Sequence, residues 1–173
     1  DDAVILMDPK LPEKWHDNLV GDIPVNKEDI KYATHMVLIK RTGLPTYHFA
    51  TVVDDMDYGV NYVIRGQDHV SNTSRQIAIY NALGAPVPQY AHVGLIHNPQ
   101  NRKLSKRDGA CDFETYKKYH PEAVLNFLLR MGWGPHVDDK TANLINRERA
   151  LKMFLTEGRM RPSSAKIDLN KLE

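Results

Sequence analysis

The chain has 173 residues, 42% of them hydrophobic and 26% charged, so it can bury one sizeable core. Its only cysteine, Cys111, excludes an internal disulfide and the cysteine-rich zinc patterns, which is typical of a reducing cytoplasm. A net charge of +1 argues against bulk attraction to nucleic acid, and the apolar runs are too short to cross a membrane. We therefore expect a cytoplasmic chain without a structural metal, whose nucleic-acid contacts are local.

The first part of the chain combines short apolar runs with a polar connector. Residues 3–7 predict a buried strand, residues 10–34 a proline-punctuated connector, and residues 21–25 within it an edge strand. Residues 36–40 and 47–53, joined by a turn, predict a hairpin or a strand–turn–helix element.

The middle of the chain has the pattern of a strand–helix–strand unit. Residues 59–66 are rich in β-formers, a helical pattern runs from Ser74 to a stop at Gly84, and residues 91–96 form the next apolar run. This order predicts a right-handed parallel crossover. Ligands of such sheets sit beyond the carboxyl ends of the strands, so residues 65–69 and 97–107 are expected on the same rim.

Beyond residue 112 the pattern becomes helical. Residues 114–119, 122–131 and 147–155 have helical periodicity, with Pro121 suited to a helix start and Gly132 to a stop. The sequence thus predicts an α/β portion followed by a helical portion.

The segment from Lys103 to Arg107 reads Lys-Leu-Ser-Lys-Arg. Two lysines three positions apart, next to a strand end, can bring compact charges to a polyphosphate. They would stabilise the charge on a departing pyrophosphate, a task normally shared with Mg²⁺. By itself, a basic string this short is also typical of a solvated surface.

Several ordered stretches together resemble the bacterial-type glutamyl-tRNA synthetases, which are class I aminoacyl-tRNA synthetases. The likeness is carried in order by residues 45–50, 52–55, 63–69, 71–76, 103–109, 121–128, 132–133 and 167–172. It implies the second half of a Rossmann-like parallel sheet followed by a helical stem-contact region. The expected division is residues 1–34 as the end of a connective insertion with its return strand, 35–111 as the second half of the catalytic domain, and 112–173 as the stem-contact region.

The resemblance also implies the site residues. Lys103, Ser105 and Lys106 correspond to catalytic positions of the KMSKS-type signature loop. Tyr47, Thr51 and Arg65 correspond to glutamate-binding positions, with Arg65 pairing with the side-chain carboxylate and Thr51 standing where relatives often have asparagine. ATP, arriving with Mg²⁺, is expected to contact Asp68, His69, Leu95, Ile96, Lys103, Leu104, Ser105, Lys106 and Arg107.

Each of these assignments has a purely structural alternative. Tyr47 could be a core tyrosine with a bonded hydroxyl, and Arg65 could be the ion-pair partner of Asp54 or Asp55. Four histidines, His48, His69, His92 and His97, are candidate metal ligands. Their spacing suggests no closed metal site and favours structural histidines with hydrogen-bonded rings.

The sequence also departs from the family pattern. Gln67 stands where an acidic residue is common, which puts nucleotide affinity in doubt. The family's histidine-rich ATP motif, which belongs to the first half of the nucleotide-binding fold, has no match in these residues. Half of a doubly wound sheet leaves an apolar edge and face, so self-association or marginal stability of the isolated chain is expected.

Three functions remain open at this point. The first is part of a glutamyl-tRNA synthetase that activates glutamate with ATP and transfers it to tRNA(Glu), and that is inactive or nearly so without the missing half. The second is a non-catalytic module that binds ATP or tRNA. The third is glutamylation of a modified tRNA nucleoside, although the residues after Lys106 and the helical region favour the ordinary synthetase.

Overall fold

A computed structural model of the chain describes residues 2–105, 112–134, 145–156 and 159–172. It has mixed α/β architecture and divides into two compact units, Asp1–His92 and Val93–Glu173. The three-part division expected from the sequence stays a prediction.

The first unit is built on two sheets. One is a two-stranded ribbon in which β1 (Val4–Leu6) pairs antiparallel with β4 (Met36–Ile39). The other has four strands in the order β3-β2-β6-β5, where β2 is Lys14–Asp17, β3 is Gly21–Pro24, β5 is Tyr62–Gly66 and β6 is Gln89–Val93. Strands β2 and β6 run parallel, and β3 lies at the edge, as predicted.

The prediction that residues 3–7 form a buried strand is wrong in its burial. Val4 and Ile5 are 48% and 45% exposed, and of the strand only Leu6 packs against the buried cluster around Leu38 and Val52. The reason is that β1 belongs to a two-stranded ribbon, which can place only one of its faces against a core.

The polar segment of residues 10–34 is more ordered than a connector. It contains β2, β3 and the helix α1 (Lys27–Ala33). The helix begins with a reciprocal capping box, in which Asn26 accepts from the backbone of Asp29 and the Asp29 carboxylate accepts from the backbone of Asn26. The capping bonds define a short helix although the segment is mostly polar.

The next elements follow the strand–turn–helix alternative and the strand–helix–strand pattern. Strand β4 leads into α2 (Tyr47–Asp57), and α3 (Val70–Leu83) connects β5 to its sheet neighbour β6. Helix α3 begins at Val70 rather than at Ser74, because a 3₁₀ turn at Gln67–His69 leads directly into it. It ends, as predicted, at Gly84, which has a left-handed φ of 64°.

The second unit combines short strand pairs with helices. Strand β7 (Ile96–His97) runs parallel to β10 (Ala165–Lys166), and β8 (Trp133–Gly134) is antiparallel to β9 (Arg159–Met160). The helices are α4 (Pro121–Leu129), with Pro121 in its first turn as predicted, and α5 (Arg147–Thr156). Within the described part of the chain, no helix has the length and apolarity to span a membrane.

Two local predictions fail in this region. Residues 114–119 do not form an α-helix; instead, a 3₁₀ turn at Phe113–Tyr116, which Asp112 caps, overlaps the first three of them. The apolar run 91–96 is divided between the end of β6 at Val93 and the start of β7 at Ile96. Buried Tyr116, Phe127 and Ile167 form a core against which Ile96 and Leu104 pack.

Candidate glutamate and ATP-phosphate site

Arg65 lies near the carboxyl end of β5 and is half-buried. Its Nε donates to His92 Nε2 at 3.1 Å, and its Nη2 donates to Thr73 Oγ1 at 2.8 Å and to the carbonyl of His69 at 3.4 Å. The guanidinium carbon lies 5.3 Å from the centroid of the Tyr90 ring, which adds a cation–π contact. Contacts from β6, α3 and the turn before α3 therefore hold this guanidinium.

The acceptor His92 is itself clamped by Asp17, and both side chains are fully buried. Asp17 Oδ2 lies 2.6 Å from His92 Nδ1, and its carboxylate also accepts backbone N–H groups of Leu19, Val20 and His92. Burial tends to raise the pKa of Asp17, but the hydrogen bonds from His92, Val20 and Leu19 outweigh it and lower that pKa. Asp17 is therefore an ionised carboxylate.

The pKa of His92 is also lowered, first because burial disfavours the charged ring, although its hydrogen bond to Asp17 acts in the opposite direction. Burial outweighs the attraction of Asp17, so the imidazole is neutral at pH 7. The buried chain thus runs from a carboxylate through a neutral ring to a guanidinium.

Within the described residues, no carboxylate forms an ion pair with Arg65. The alternative in which it pairs with Asp54 or Asp55 is therefore wrong. Burial raises the pKa of Asp55 while the charge of Arg65 pulls it down, so the two groups sense each other without an ion pair. In the part of the chain that the structure describes, the positive charge of Arg65 is therefore not neutralised by an ion pair, which suits a carboxylate ligand.

Tyr47 and Thr51 lie one turn apart on α2. Tyr47 is 57% exposed, so the alternative that it is a core tyrosine is wrong. The Thr51 hydroxyl donates to the Tyr47 carbonyl at 2.9 Å, and the Tyr47 ring contacts the ring of His48 edge-on, with centroids 5.2 Å apart. Burial lowers the pKa of His48, as do the charges of Arg75 and Arg65, so this end of α2 lies within electrostatic reach of Arg65.

Asp68 and His69 lie in the 3₁₀ turn that follows β5. The His69 carbonyl accepts from Arg65 and from the Thr73 hydroxyl, and its ring Nδ1 lies 3.1 Å from Asn72 Nδ2. Asp68 Oδ2 is 3.9 Å from His69 Nε2. The turn that carries the predicted ATP contacts Asp68 and His69 is therefore hydrogen-bonded to the Arg65 guanidinium through the His69 carbonyl.

The other predicted ATP contacts lie in the second unit. The segment after β7 folds back on it, because His97 and Lys103 form an antiparallel bridge and Leu104 donates its N–H to the Ile96 carbonyl at 2.8 Å. Leu104 packs into the core, whereas Lys103 and Ser105 are exposed on either side of it. Lys106 and Arg107 lie outside the described residues, and their roles stay predictions.

The histidines form no metal site in the part of the chain that the structure describes, where no three His, Cys, Asp or Glu side chains converge as ligands. His92 is a satisfied structural histidine, as the sequence favoured, but its contact with Arg65 was not foreseen.

Sequence reasoning also missed Asp17 and Thr73. Asp17 lies 75 positions before His92, in a stretch read as a connector, so no local pattern links them. For Thr73 a sequence signal did exist. Thr73 lies four residues, about one helical turn, after His69, so the two residues are expected on the same face of a helix.

The fold has the α/β architecture of a class I synthetase catalytic domain, with a half-buried arginine near the end of a strand. Residues 5–173 match the sequence model of the family "tRNA synthetases class I (E and Q), catalytic domain". The chain belongs to that family.

Relatives and solved structures agree with this assignment. Glutamate–tRNA ligase 2 of Zymomonas mobilis is 47% identical over 162 residues, which is 91% of this chain and 32% of the relative. A glutamate–tRNA ligase of Xanthomonas euvesicatoria is 48% identical over 139 residues, covering 79% of this chain and 29% of the relative. The crystal structure of a glutamate–tRNA synthetase from Elizabethkingia anophelis superimposes with a TM-score of 0.77 at 28% identity, covering 98% of this chain and 37% of that one. The chain thus spans about a third of the length of its curated relatives.

Proposed function

We propose that this chain supplies glutamate recognition and ATP-phosphate contacts to an enzyme that activates glutamate with ATP and transfers it to tRNA(Glu). Family membership supports the reaction class, and the relatives named as glutamate–tRNA ligases support glutamate as the amino acid. The observation that carries the proposal is Arg65, a half-buried guanidinium held by uncharged acceptors.

In the proposed complex the glutamate side chain meets Arg65. A guanidinium presents a planar fork that matches a carboxylate, and an uncompensated charge gains more from such a ligand than one already paired. Tyr47 contributes exposed ring surface, and the Thr51 oxygen keeps an acceptor lone pair after donating to the Tyr47 carbonyl. Glutamine, which lacks the charge, is expected to bind more weakly.

ATP, with its Mg²⁺, is proposed to lie along the loop from Lys103 to Arg107. A glutamate α-carboxylate oxygen attacks the α-phosphorus, and the bond to pyrophosphate breaks as negative charge moves to the leaving group. Lys103, Ser105 and Lys106 are the proposed catalytic residues that stabilise this charge. The remaining proposed ATP contacts are Asp68, His69, Leu95, Ile96, Leu104 and Arg107.

A second part of the catalytic domain is a further proposed partner. Strand β5 ends the four-stranded sheet of the described residues, and its side chains Tyr62 and Ile64 are 39% and 52% exposed. An edge strand with exposed apolar side chains invites pairing or covering by another element. The same surface would support self-association of the isolated chain. We also propose that residues 112–173 form the stem-contact region, which contacts tRNA.

ATP–pyrophosphate exchange tests the function. The chain is assayed with ATP, glutamate and tRNA(Glu), alone and with the separately produced N-terminal part of the Zymomonas relative's catalytic domain. We expect little exchange by the chain alone and glutamate-dependent exchange upon complementation, because the proposed groups are divided between two parts. Exchange with neither arrangement would contradict the proposal.

The second candidate is a module that binds ATP or tRNA without chemistry, in which the exposed Lys103 and Ser105 would contact the phosphates of the ligand. It predicts ATP binding that weakens in Lys106→Ala, with no adenylate formed even after complementation. Isothermal titration with ATP, run beside the exchange assay, separates the two functions.

A further inference from the structure

We propose that His92 is the positioning residue of Arg65: its neutral, Nδ1-protonated ring, held by Asp17, aims the guanidinium and leaves its charge for the carboxylate of a bound ligand. The identity of that ligand as glutamate rests on the proposed function. The positioning itself rests only on contacts within the first unit.

The tautomer follows from the partners of the two ring nitrogens. Nδ1 lies 2.6 Å from an ionised carboxylate, which can only accept, so Nδ1 carries the proton. Nε2 faces Arg65 Nε at 3.1 Å, and because an arginine Nε–H can only donate, Nε2 must offer a lone pair. A protonated ring would set two N–H groups against each other.

Asp17 holds the His92 ring independently of Arg65. Its carboxylate accepts from the Leu19 and Val20 backbone at 2.9 Å each and from the His92 backbone at 3.0 Å, in addition to the ring. Asp17 ends β2 and His92 lies in β6, two strands that run parallel and adjacent. The carboxylate that orients the ring is therefore held by main-chain groups of β6 and of the turn after β2, which gives the arginine a rigid support.

The neutral ring also decides the charge of the site. If the Asp17 carboxylate met Arg65 directly, it would neutralise the guanidinium and compete with a ligand carboxylate. The imidazole separates the two charges, and Thr73 Oγ1 and the His69 carbonyl occupy Nη2 with uncharged oxygens. Among the described residues, Nη1 makes no hydrogen bond, so its N–H groups can still donate to a ligand carboxylate.

Two isosteric variants separate the two halves of the ring. In His92→Asn the amide occupies the position of Nδ1 and can donate to Asp17, but nothing accepts from Arg65 Nε. In His92→Gln the amide reaches the position of Nε2 and can accept from Arg65, but the donor to Asp17 is lost. A residue that merely fills the core would give no such opposite pattern.

Side-chain ¹⁵N NMR of the chain gives the first measurement. We expect the Nδ1–H tautomer of His92 in the wild type and an Arg65 Nε–H whose exchange with solvent is slowed. The exchange should accelerate about tenfold or more in His92→Asn, the loss of roughly one hydrogen bond to a charged group, and be largely restored in His92→Gln. An Nε2–H tautomer, or equal exchange in all three proteins, would overturn the proposal.

Amino-acid selectivity gives the second measurement, in the complemented exchange assay. His92→Asn should raise the KM for glutamate about tenfold, lower the preference for glutamate over glutamine, and leave the KM for ATP unchanged. An unchanged preference alongside altered Arg65 exchange would refute the ligand-directed half of the proposal. A wild type that shows the NMR pattern but does not prefer glutamate refutes the proposed function instead.

Folding is checked by circular dichroism. If the His92 variants unfold, the wild-type tautomer and Thr73→Val decide. Thr73→Val keeps the ring and removes the shorter of the two hydrogen bonds that Nη2 donates, so it should leave the His92 tautomer unchanged while lowering the preference for glutamate.

Discussion

Asp17 Oδ2 lies 2.6 Å from His92 Nδ1, although the two residues are 75 positions apart in the chain. Both are fully buried, and the contact joins β2 to β6 at the centre of the four-stranded sheet. A buried charge is tolerated only when its hydrogen bonds are complete, and here ring and backbone donors complete them. The first unit is thus stabilised by the same contact that orients its arginine.

Asp17→Asn should be strongly destabilising. The amide nitrogen would face either the His92 Nδ1–H or the backbone N–H groups of Leu19 and Val20, so at least one buried donor loses its acceptor. We expect a loss of about 3 kcal/mol in the free energy of unfolding, measured by urea denaturation. The matched control Asp22→Asn changes an exposed ion pair with Lys14 and should have little effect. Equal losses in both variants would contradict this account.

Stability should fall as the pH drops below about 6.5. The pKa of His92 is lowered from 6.5 on folding, so the unfolded chain takes up the proton first and the contribution, complete above pH 6.5, is lost as the pH falls toward the folded pKa. The half-buried His48 acts in the same direction. Asp17 adds a second loss only below its ordinary value of 3.8. Urea unfolding of wild type, His92→Gln and His48→Gln between pH 5 and 8 should show a shallower dependence in each variant.

Arg65→Lys should weaken glutamate binding about tenfold or more, because an ammonium keeps the charge but not the planar fork held by His92 and Thr73. Arg75→Lys is the control. The Arg75 guanidinium carbon lies 4.7 Å from the Tyr32 ring centroid, and Arg75 is not a proposed ligand contact. The KM values for glutamate and ATP in the complemented exchange assay provide the measurement, and a rise confined to ATP would contradict the assignment.

Asn126→Asp should destabilise the second unit. Buried Asn126 accepts from the Ile145 N–H at 2.7 Å and donates to the carbonyls of Ile145 and Glu122 at 2.8 Å each, so a carboxylate would face two acceptors. We expect the free energy of unfolding, measured by urea denaturation, to fall by about 2 kcal/mol or more. Asn98→Asp is the control, because Asn98 uses its oxygen to accept from the Arg102 N–H at 2.9 Å and aspartate preserves that bond.

Gly94→Ala should also destabilise the second unit, by about 1–3 kcal/mol, because a Cβ at Gly94 would lie 2.2 Å from the Ser163 carbonyl oxygen. Ser163→Ala alone should be tolerated, since the Ser163 side chain is exposed. The double variant should be no more stable than Gly94→Ala, because the obstacle is main chain. Thermal unfolding of the three variants checks this, and rescue in the double variant would contradict it.

Local sequence patterns determined much of the secondary structure. Pro121 and Gly84 mark a helix start and a helix end because a fixed φ suits one and a left-handed φ the other. The end of β5 followed by polar residues located Arg65, Asp68 and His69 on one strand end and turn, because covalent neighbours stay together. Burial of β1 and the helix expected at 114–119 were wrong, since burial and helix length depend on what packs against a segment.

The sequence by itself determined the family and singled out Arg65 as a candidate ligand-binding residue, because the order of motifs along a chain can be recognised without knowing how they are arranged in space. The tertiary structure alone decided what holds that arginine. Asp54 and Asp55 were the apparent partners, yet the fold supplies His92 and Thr73 from β6 and α3, with Asp17 behind them. Hydrogen bonds depend on distances and directions between strands far apart in sequence, and these exist only once the sheet has formed.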